Sequence, residues 1–205
     1  MGHVRRGVIY IAYGEAARYE AGESIESLRR WHPLLPISVI GEPVAGAKRI
    51  PFGQCDKGGR WAKVNLYDLS PYEQTLYIDA DTRVHQFLDA GFDMLADGWD
   101  MVITASGHQG SDMLWHLDEE DREATLREVG PMLQLQGGLF WFARNERIKR
   151  FFEAWRTEWL RFQGQDQGAL LRALYRSPLR VWLLGRPWNG GAVVGHRFGF
   201  ARKAA

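Results

Sequence analysis

Cysteine is nearly absent from this 205-residue sequence. The single thiol, Cys55, cannot close an internal disulfide, which fits a reducing cytoplasm, and a packing role is a simpler reading of it than a nucleophile. Net charge is also scarce. A formal +1 gives no bulk attraction to nucleic acid or to an anionic membrane, so any charged ligand must be held by a local site. No apolar stretch approaches the length of a membrane span. The start, MGHVRRGVIYIAYGEA, has too short an apolar run and no small-residue cleavage site for a signal peptide. Repeats, low-complexity segments and linkers are missing too, which predicts one domain over residues 1–205.

What is present is ordinary for a soluble globular chain, with 45% hydrophobic and 25% charged residues. The nine tryptophans could stack on sugar rings, but several fall at helical spacing and read as core. GVIYIAY (Gly7–Tyr13) is a continuous apolar run suited to a central strand covered on both faces. A helix over YEAGESIESLRRW follows, then a strand over PISVIGE, and GGRWAKVNLYDLSP reads as one helix ended by Ser70-Pro71. TLYID and DMVITA (Asp100–Ala105) are further strands, with a short helix around Phe87–Leu95 between them. DEEDREATLREV is a helix whose charge run is expected to face water. After the strand LFWFAR, a long amphipathic helix begins at Asn145 as N-cap, its arginines placed on a solvated outer face. The helix DQGALLRALYRS, the strand LRVWLL and a glycine-rich tail complete the chain. Strands alternating with helices predict an α/β fold around a mostly parallel sheet, with ligands bound beyond the carboxyl ends of its strands.

Asp79 and Asp81, in TLYIDADTRVHQ, stand at such an end. In extended chain, residues two apart point the same way, so the two carboxylates converge with Ala80 turned aside. Paired carboxylates raise each other's pKa unless a cation joins them, and hard oxygen ligands in an open site suit Mg²⁺ or Mn²⁺. Turn hydrogen bonds from two loop aspartates are the plainer alternative.

Two enzyme classes place such a pair after a strand. In haloacid-dehalogenase-like phosphatases the first aspartate is the nucleophile, but their motif carries threonine two places after the second aspartate, where Arg83 stands here, and it usually lies on the first strand. The sequence resembles more fully the GT-A glycosyltransferases, in particular the retaining family that includes glycogenin and lipopolysaccharide galactosyltransferases. Four stretches support the resemblance. In WAKVNLYDLSPYEQTLYIDADTRV, Lys63 takes the place of a basic residue that contacts the donor's sugar or phosphate. Its plain alternative is a solvent-facing helix lysine. In LQGGLFWF, Gln136, Gly137 and Gly138 stand where the family has Asn-X-Gly. In DQGALL, Asp166 and Gln167 match an Asp-Gln pair beside the reacting sugar, although Asp166 alone reads as a helix N-cap. In HRFGFAR, His196, Gly199 and Arg202 match His-X-X-Gly-X-X-Lys, with arginine replacing the diphosphate-binding lysine and keeping its charge.

The resemblance implies a single GT-A, Rossmann-like domain that moves a hexose from a nucleotide-diphosphate sugar, most simply a UDP-sugar, with retention at the anomeric carbon. Asp79, Asp81 and His196 would hold the metal, and imidazole favours Mn²⁺ over Mg²⁺. Ala80 joins Asp79, Lys63, residues 136–138, Gly199 and Arg202 among the donor contacts. Tyr13 and Tyr19 occupy the nucleotide-binding position, where they could border the base or pack helix on sheet. The acceptor stays open among a saccharide, a protein side chain, a lipid-linked glycan and a modified nucleic acid. The tail, ARKAA, lacks the basic aromatic segment with which lipopolysaccharide-building relatives contact membranes, so no anchor is expected. The stretch Gly107–Pro131 is expected to cover the acceptor side. A phosphatase using Asp79, or a non-catalytic module that binds nucleotide sugars, are the alternatives. The metal assignment requires His196 to lie beside the two aspartates.

Overall fold

A computed structural model describes residues 4–53, 58–107, 109, 113–130 and 133–197. Its centre is a seven-stranded sheet with the spatial order β3-β2-β1-β4-β7-β6-β8. The strands are β1 (Arg6–Ala12), β2 (Ile37–Gly41), β3 (Lys48–Ile50), β4 (Gln74–Ile78), β6 (Met101–Ala105), β7 (Leu135–Ala143) and β8 (Val181–Leu184). All neighbours run parallel except β7, which is antiparallel to both β4 and β6. A second sheet pairs two three-residue strands, β5 (Thr82–Val84) and β9 (Val194–His196).

The alternation of side chains along each strand divides the core in two. Val8, Tyr10, Leu76, Ile78, Leu139 and Trp141 face one layer, where they meet Ile25 and Leu28 of α1 (Glu15–Trp31) and Phe92 and Leu95 of α4 (Asp89–Ala96). Ile9, Tyr77, Phe140 and Phe142 face the other. There they meet α2 (Gly58–Val64), α3 (Leu66–Leu69), α6 (Glu146–Phe162) and α7 (Gln167–Arg176). The apolar stripe of α6 (Ile148, Phe151, Phe152, Trp155 and Trp159) is buried as its spacing predicts, and the Asn145 side chain caps it by accepting from Ile148 N–H at 2.9 Å.

Two local expectations are corrected. The helix expected over residues 58–71 is two helices broken at Asn65, whose Nδ2 donates back to Trp61 O at 2.7 Å and whose Oδ1 accepts from Arg156 at 2.7 Å. The charge run of α5 (Glu119–Val129) does not wholly face water, because Asp121 is buried against Arg172 of α7 at 2.6 Å. The arginines of α6 lie on its outer face as expected, with Arg147, Arg150 and Arg161 exposed, and three of them make ion pairs there: Arg147 holds Asp100 at 2.7 Å, Arg156 holds Asp68 at 3.2 Å, and Arg161 holds Glu128 and Glu158 at 2.6 Å each.

His32, at the C-cap of α1, ties that helix to the start of α4, because its Nε2 accepts the Leu88 N–H at 2.8 Å. Burial pushes this imidazole below its ordinary pKa, and the exposed Asp89 carboxylate 4.0 Å from Nδ1 offsets only part of that. Arg29, which donates to the His32 carbonyl at 3.4 Å, is the nearby cation of α1. Protonation converts the accepting nitrogen into a donor and breaks the bond. The unfolded chain therefore takes up the proton first. Stability is fully present above about pH 6.5 and is lost as pH falls through the lowered folded value. Urea midpoints between about pH 7.5 and about pH 5 are expected to fall for the wild type and to fall less for His32→Asn. Parallel curves for the two proteins would remove His32 as the cause.

Among the described residues, no helix is long and apolar enough to cross a membrane.

Candidate functional site

The site forms where β4 ends. Tyr77 faces the α6 layer, so Asp79, two residues on, emerges on that same side, whereas Ala80 packs toward the α1 layer. The turn that follows is pinned. Thr82, fully buried, donates through Oγ1 to the Asp79 carbonyl at 2.9 Å and lies 2.8 Å from Ser24 Oγ of α1. Arg83, the residue that departs from the phosphatase motif, is turned away into an ion pair with Glu20 at 2.9 Å.

His196 reaches this turn by strand pairing. In the β5–β9 ladder, Thr82 stands opposite His196, and Arg197 N–H donates to the Asp81 carbonyl at 3.0 Å. The imidazole Nε2 thereby comes to 3.0 Å from Asp81 Oδ1 and 3.8 Å from Asp79 Oδ2. One ligand atom from each of Asp79, Asp81 and His196 lies within 4.8 Å of the others. Two hard carboxylate oxygens and one imidazole nitrogen on a half-buried rim form a donor set that could hold a divalent cation.

Glycine makes this packing possible. A Cβ at Gly138 would lie 2.5 Å from His196 Cε1 and 2.8 Å from Asp79 Oδ2, so no other residue fits there without moving the site. A Cβ at Gly137 would lie 3.3 Å from Asp166 Oδ2 and 3.5 Å from Lys63 Nζ. Gln136, half-buried, is the second residue of β7 and stands opposite Thr104.

Behind the rim lies a charged relay. Lys63 of α2 is buried, with Nζ 3.0 Å from Asp166 Oδ2 and 3.4 Å from Asp79 Oδ1. The solvent-facing alternative for Lys63 is therefore excluded. Asp166 occupies the N-cap position of α7 without capping it, its carboxylate being given to Lys63 instead. Burial alone would raise the Asp166 pKa and lower that of Lys63, but their mutual attraction outweighs this, so Asp166 lies below and Lys63 above the ordinary value. Gln167 is tethered to the sheet by Nε2, which donates to the Leu135 carbonyl at 2.5 Å.

Tyr77 was not singled out in the sequence, yet its phenol donates to Asp79 Oδ1 at 2.5 Å beneath the Lys63 ammonium. The signal was its position, two residues before Asp79 on the same strand face. Burial, and then the Asp79 charge, hold this phenol well above its ordinary pKa, so it remains a donor. Asn189 was also overlooked; its Oδ1 lies 2.7 Å from His196 Nδ1.

The two tyrosines separate. Tyr13 packs against the α6-side core and donates to the Phe52 carbonyl at 3.4 Å. Tyr19 is exposed on α1 and lines a groove of about 380 Å³ with Pro43 and Val44, to which none of the rim carboxylates contributes. Gly199 and Arg202 lie outside the described residues.

No protein family and no curated protein sequence matches this chain. Solved structures do. The galactosyltransferase LgtC, in a complex with donor and acceptor sugar analogues, superposes with a TM-score of 0.59 at 15% identity over 96% of this chain and 81% of that one. The bifunctional glycosyltransferase WbbM gives 0.61 at 16% identity over 92% of this chain, and the glycosyltransferase GlyE of Streptococcus pneumoniae gives 0.55 at 14% over 90%. This chain spans 40% of WbbM and 46% of GlyE. At these identities the likeness is one of fold: the chain has a GT-A-like glycosyltransferase fold.

Proposed function

We propose, from a fold shared with glycosyltransferases and a rim of two carboxylates and one imidazole, that this chain is a metal-dependent glycosyltransferase. It moves a hexose from a nucleotide-diphosphate sugar, most simply a UDP-sugar, to an acceptor, with retention at the anomeric carbon. The observation that carries the reading is the convergence of Asp79, Asp81 and His196 within 4.8 Å, although His196 lies more than a hundred residues from the aspartates in sequence. Beside them, in the same layer, stands the Lys63–Asp166 pair.

When bound there, a divalent cation, Mn²⁺ by its affinity for imidazole, neutralises charge on a diphosphate. The residues divide the remaining work. Asp79 Oδ1 is occupied by the Tyr77 phenol and the Lys63 ammonium, so Oδ2 is the oxygen turned toward His196. Lys63 keeps Asp166 ionised, and that fixed negative charge faces the positive charge that builds on the sugar as its bond to phosphate breaks. Gln167 is held by Nε2, which leaves its amide oxygen to accept from a sugar hydroxyl. Gly137 and Gly138 let Lys63, Asp166, Asp79 and His196 pack against the backbone of β7.

Calorimetric titration of UDP, with and without Mn²⁺, on wild type and Asp81→Ala tests this reading. Binding to the wild type is expected to weaken about 100-fold without Mn²⁺, equivalent to about 2.7 kcal/mol, and Asp81→Ala is expected to behave like the metal-free wild type. Equal UDP affinity in all four conditions would refute the metal bridge. Slow release of UDP from a sugar donor separates a transferase from a binding module that only retains the ligand. A phosphatase is not favoured, because Arg83 is committed to Glu20 and the neighbours in fold are glycosyltransferases.

A further inference from the structure

The sequence RPWNGGAV between β8 and β9 has no role in the proposed chemistry, yet its fold is specific. Gly190 and Gly191 N–H both donate to the Val194 carbonyl, at 2.8 and 3.0 Å, and Val193 N–H donates to the Pro187 carbonyl at 2.8 Å. Gly190 has φ 103°, a conformation suited to glycine, and a Cβ at Gly191 would lie 2.7 Å from Pro187 Cα. This compact loop brings Asn189 back against His196, seven residues later.

Asn189 is 3% exposed and its amide is held at both ends. Nδ2 donates to Oγ1 of Thr104, a fully buried residue of β6, at 3.2 Å, and Oδ1 stands 2.7 Å from His196 Nδ1. With the amide oxygen toward the ring, Nδ1 is the protonated nitrogen and Nε2 is free to present a lone pair. Nε2 is the atom that points at Asp81 and Asp79, 3.0 and 3.8 Å away. The reverse amide orientation would place a proton on Nε2 and block it as a ligand.

We infer that Asn189 is the positioning residue that selects Nε2 of His196 as the metal-ligating atom, by holding the ring proton on Nδ1 and anchoring the ring through Thr104 to the central sheet. The inference rests on the metal reading proposed above. A partner of this kind fixes ring orientation and tautomer, and its loss typically weakens metal binding about 10- to 100-fold.

The test is Mn²⁺ affinity, read from the electron paramagnetic resonance signal of the free ion, with and without UDP. The proteins compared are wild type, Asn189→Leu, Asn189→Asp and His196→Ala, each first shown folded by near-ultraviolet circular dichroism. Asn189→Leu is expected to weaken Mn²⁺ about 10- to 100-fold, and Asn189→Asp, which keeps an acceptor against Nδ1, to stay within about threefold of wild type. Should Asn189→Leu fail to fold, nitrogen-15 NMR of histidine-labelled wild type loaded with Cd²⁺ decides: a proton on Nδ1 of His196 supports the inference, and a proton on Nε2 overturns it. Equal Mn²⁺ affinity in Asn189→Leu and a metal-binding wild type overturns this inference alone. A wild type that takes up no Mn²⁺ under either condition overturns the metal reading and this inference with it.

Discussion

Lys63→Met is expected to lower both stability and turnover sharply. The ammonium is buried between Asp166 and Asp79, with the Tyr77 ring 5.0 Å beneath it. Methionine fills nearly the same space but leaves two carboxylates of one sign facing each other, each largely shielded from water. Removing one partner of such a buried pair costs about 3–5 kcal/mol. The Asp166 contact dominates that figure, since the Asp79 side chain is 25% exposed and water screens it more. Thermal unfolding in chelator reads the loss, and Mn²⁺ is expected to restore part of it in the variant by supplying a replacement positive charge. The double variant Lys63→Met/Asp166→Asn removes the stranded charge as well, so it is expected to melt nearer the wild type than the single variant does, a non-additive result. If the chain is the transferase proposed above, the double variant's donor turnover is expected to stay down by at least about 100-fold, because the fixed charge assigned to Asp166 is gone. A single variant that melts with the wild type would show that Lys63 does not compensate these carboxylates. The pair also sets a pH window. Lys63 is raised in the folded state, so its contribution is full below about pH 10.4 and is lost as pH rises through the folded value. Asp166 is lowered, so its contribution is full above about pH 3.9 and is lost as pH falls through the folded value.

Arg172 carries the second large effect, on stability alone. It is 1% exposed at the junction of α5, α6 and α7. Its Nε meets Glu158 at 2.8 Å, its NH1 meets Asp121 at 2.6 Å and also contacts Thr125, and the guanidinium lies 4.9 Å from the Phe162 ring centre. Glu158 in turn holds Arg161 and Arg176, and Glu128 receives both of those arginines. Arg172→Leu leaves Asp121 and Glu158 buried with their central cation removed, which is expected to cost about 3–5 kcal/mol. At about 2–4 °C per kcal/mol for a chain of this size, the melting temperature falls by about 6–20 °C. Arg172→Lys is expected to recover little, since one ammonium cannot reproduce the fork that reaches both carboxylates. Replacing Arg172, Asp121 and Glu158 together by apolar residues of similar volume is expected to cost less than Arg172→Leu alone, because no unpaired charge remains. A loss below about 1 kcal/mol for Arg172→Leu would mean that water reaches this junction and screens the cluster.

Much of the layer order was legible because long apolar strands and amphipathic helices announce themselves by period. β1, β4, α6 and α7 lie where apolar runs or helical spacing placed them, whereas α1 and β7 each begin four residues before the segments expected from Tyr19 and Leu139. The paired aspartates were legible too, since both the apolar run before them and their two-residue spacing are local. The brief elements were not. β3, β5 and β9 have three residues each, too few for a period to show, and their pairing is set by partners far along the chain. For the same reason the route that brings His196 to Asp81 could be inferred only through resemblance to a motif. The break at Asn65 depends on Arg156 of α6, and the burial of Asp121 depends on Arg172 of α7. Neither partner is visible from the helix concerned. Tyr77 and Asn189 escaped because the sequence shows which groups can donate or accept, not which carboxylate or ring they will meet.

The reversal of β7 has a wider bearing. Because that strand runs against β4 and β6, its beginning, not its end, lies beside the tip of β4, where the Asp79 N–H donates to the Gly138 carbonyl at 2.8 Å. The acidic pair, by contrast, hangs from the first half of the sheet, braced by α1 and α2. A change of length between β6 and β7 would therefore fall next to the acidic pair while the β1–β4 register stays as it is. The direction of one strand thus separates the segment free to vary in length from the strands and helices that hold Asp79 and Asp81 in place.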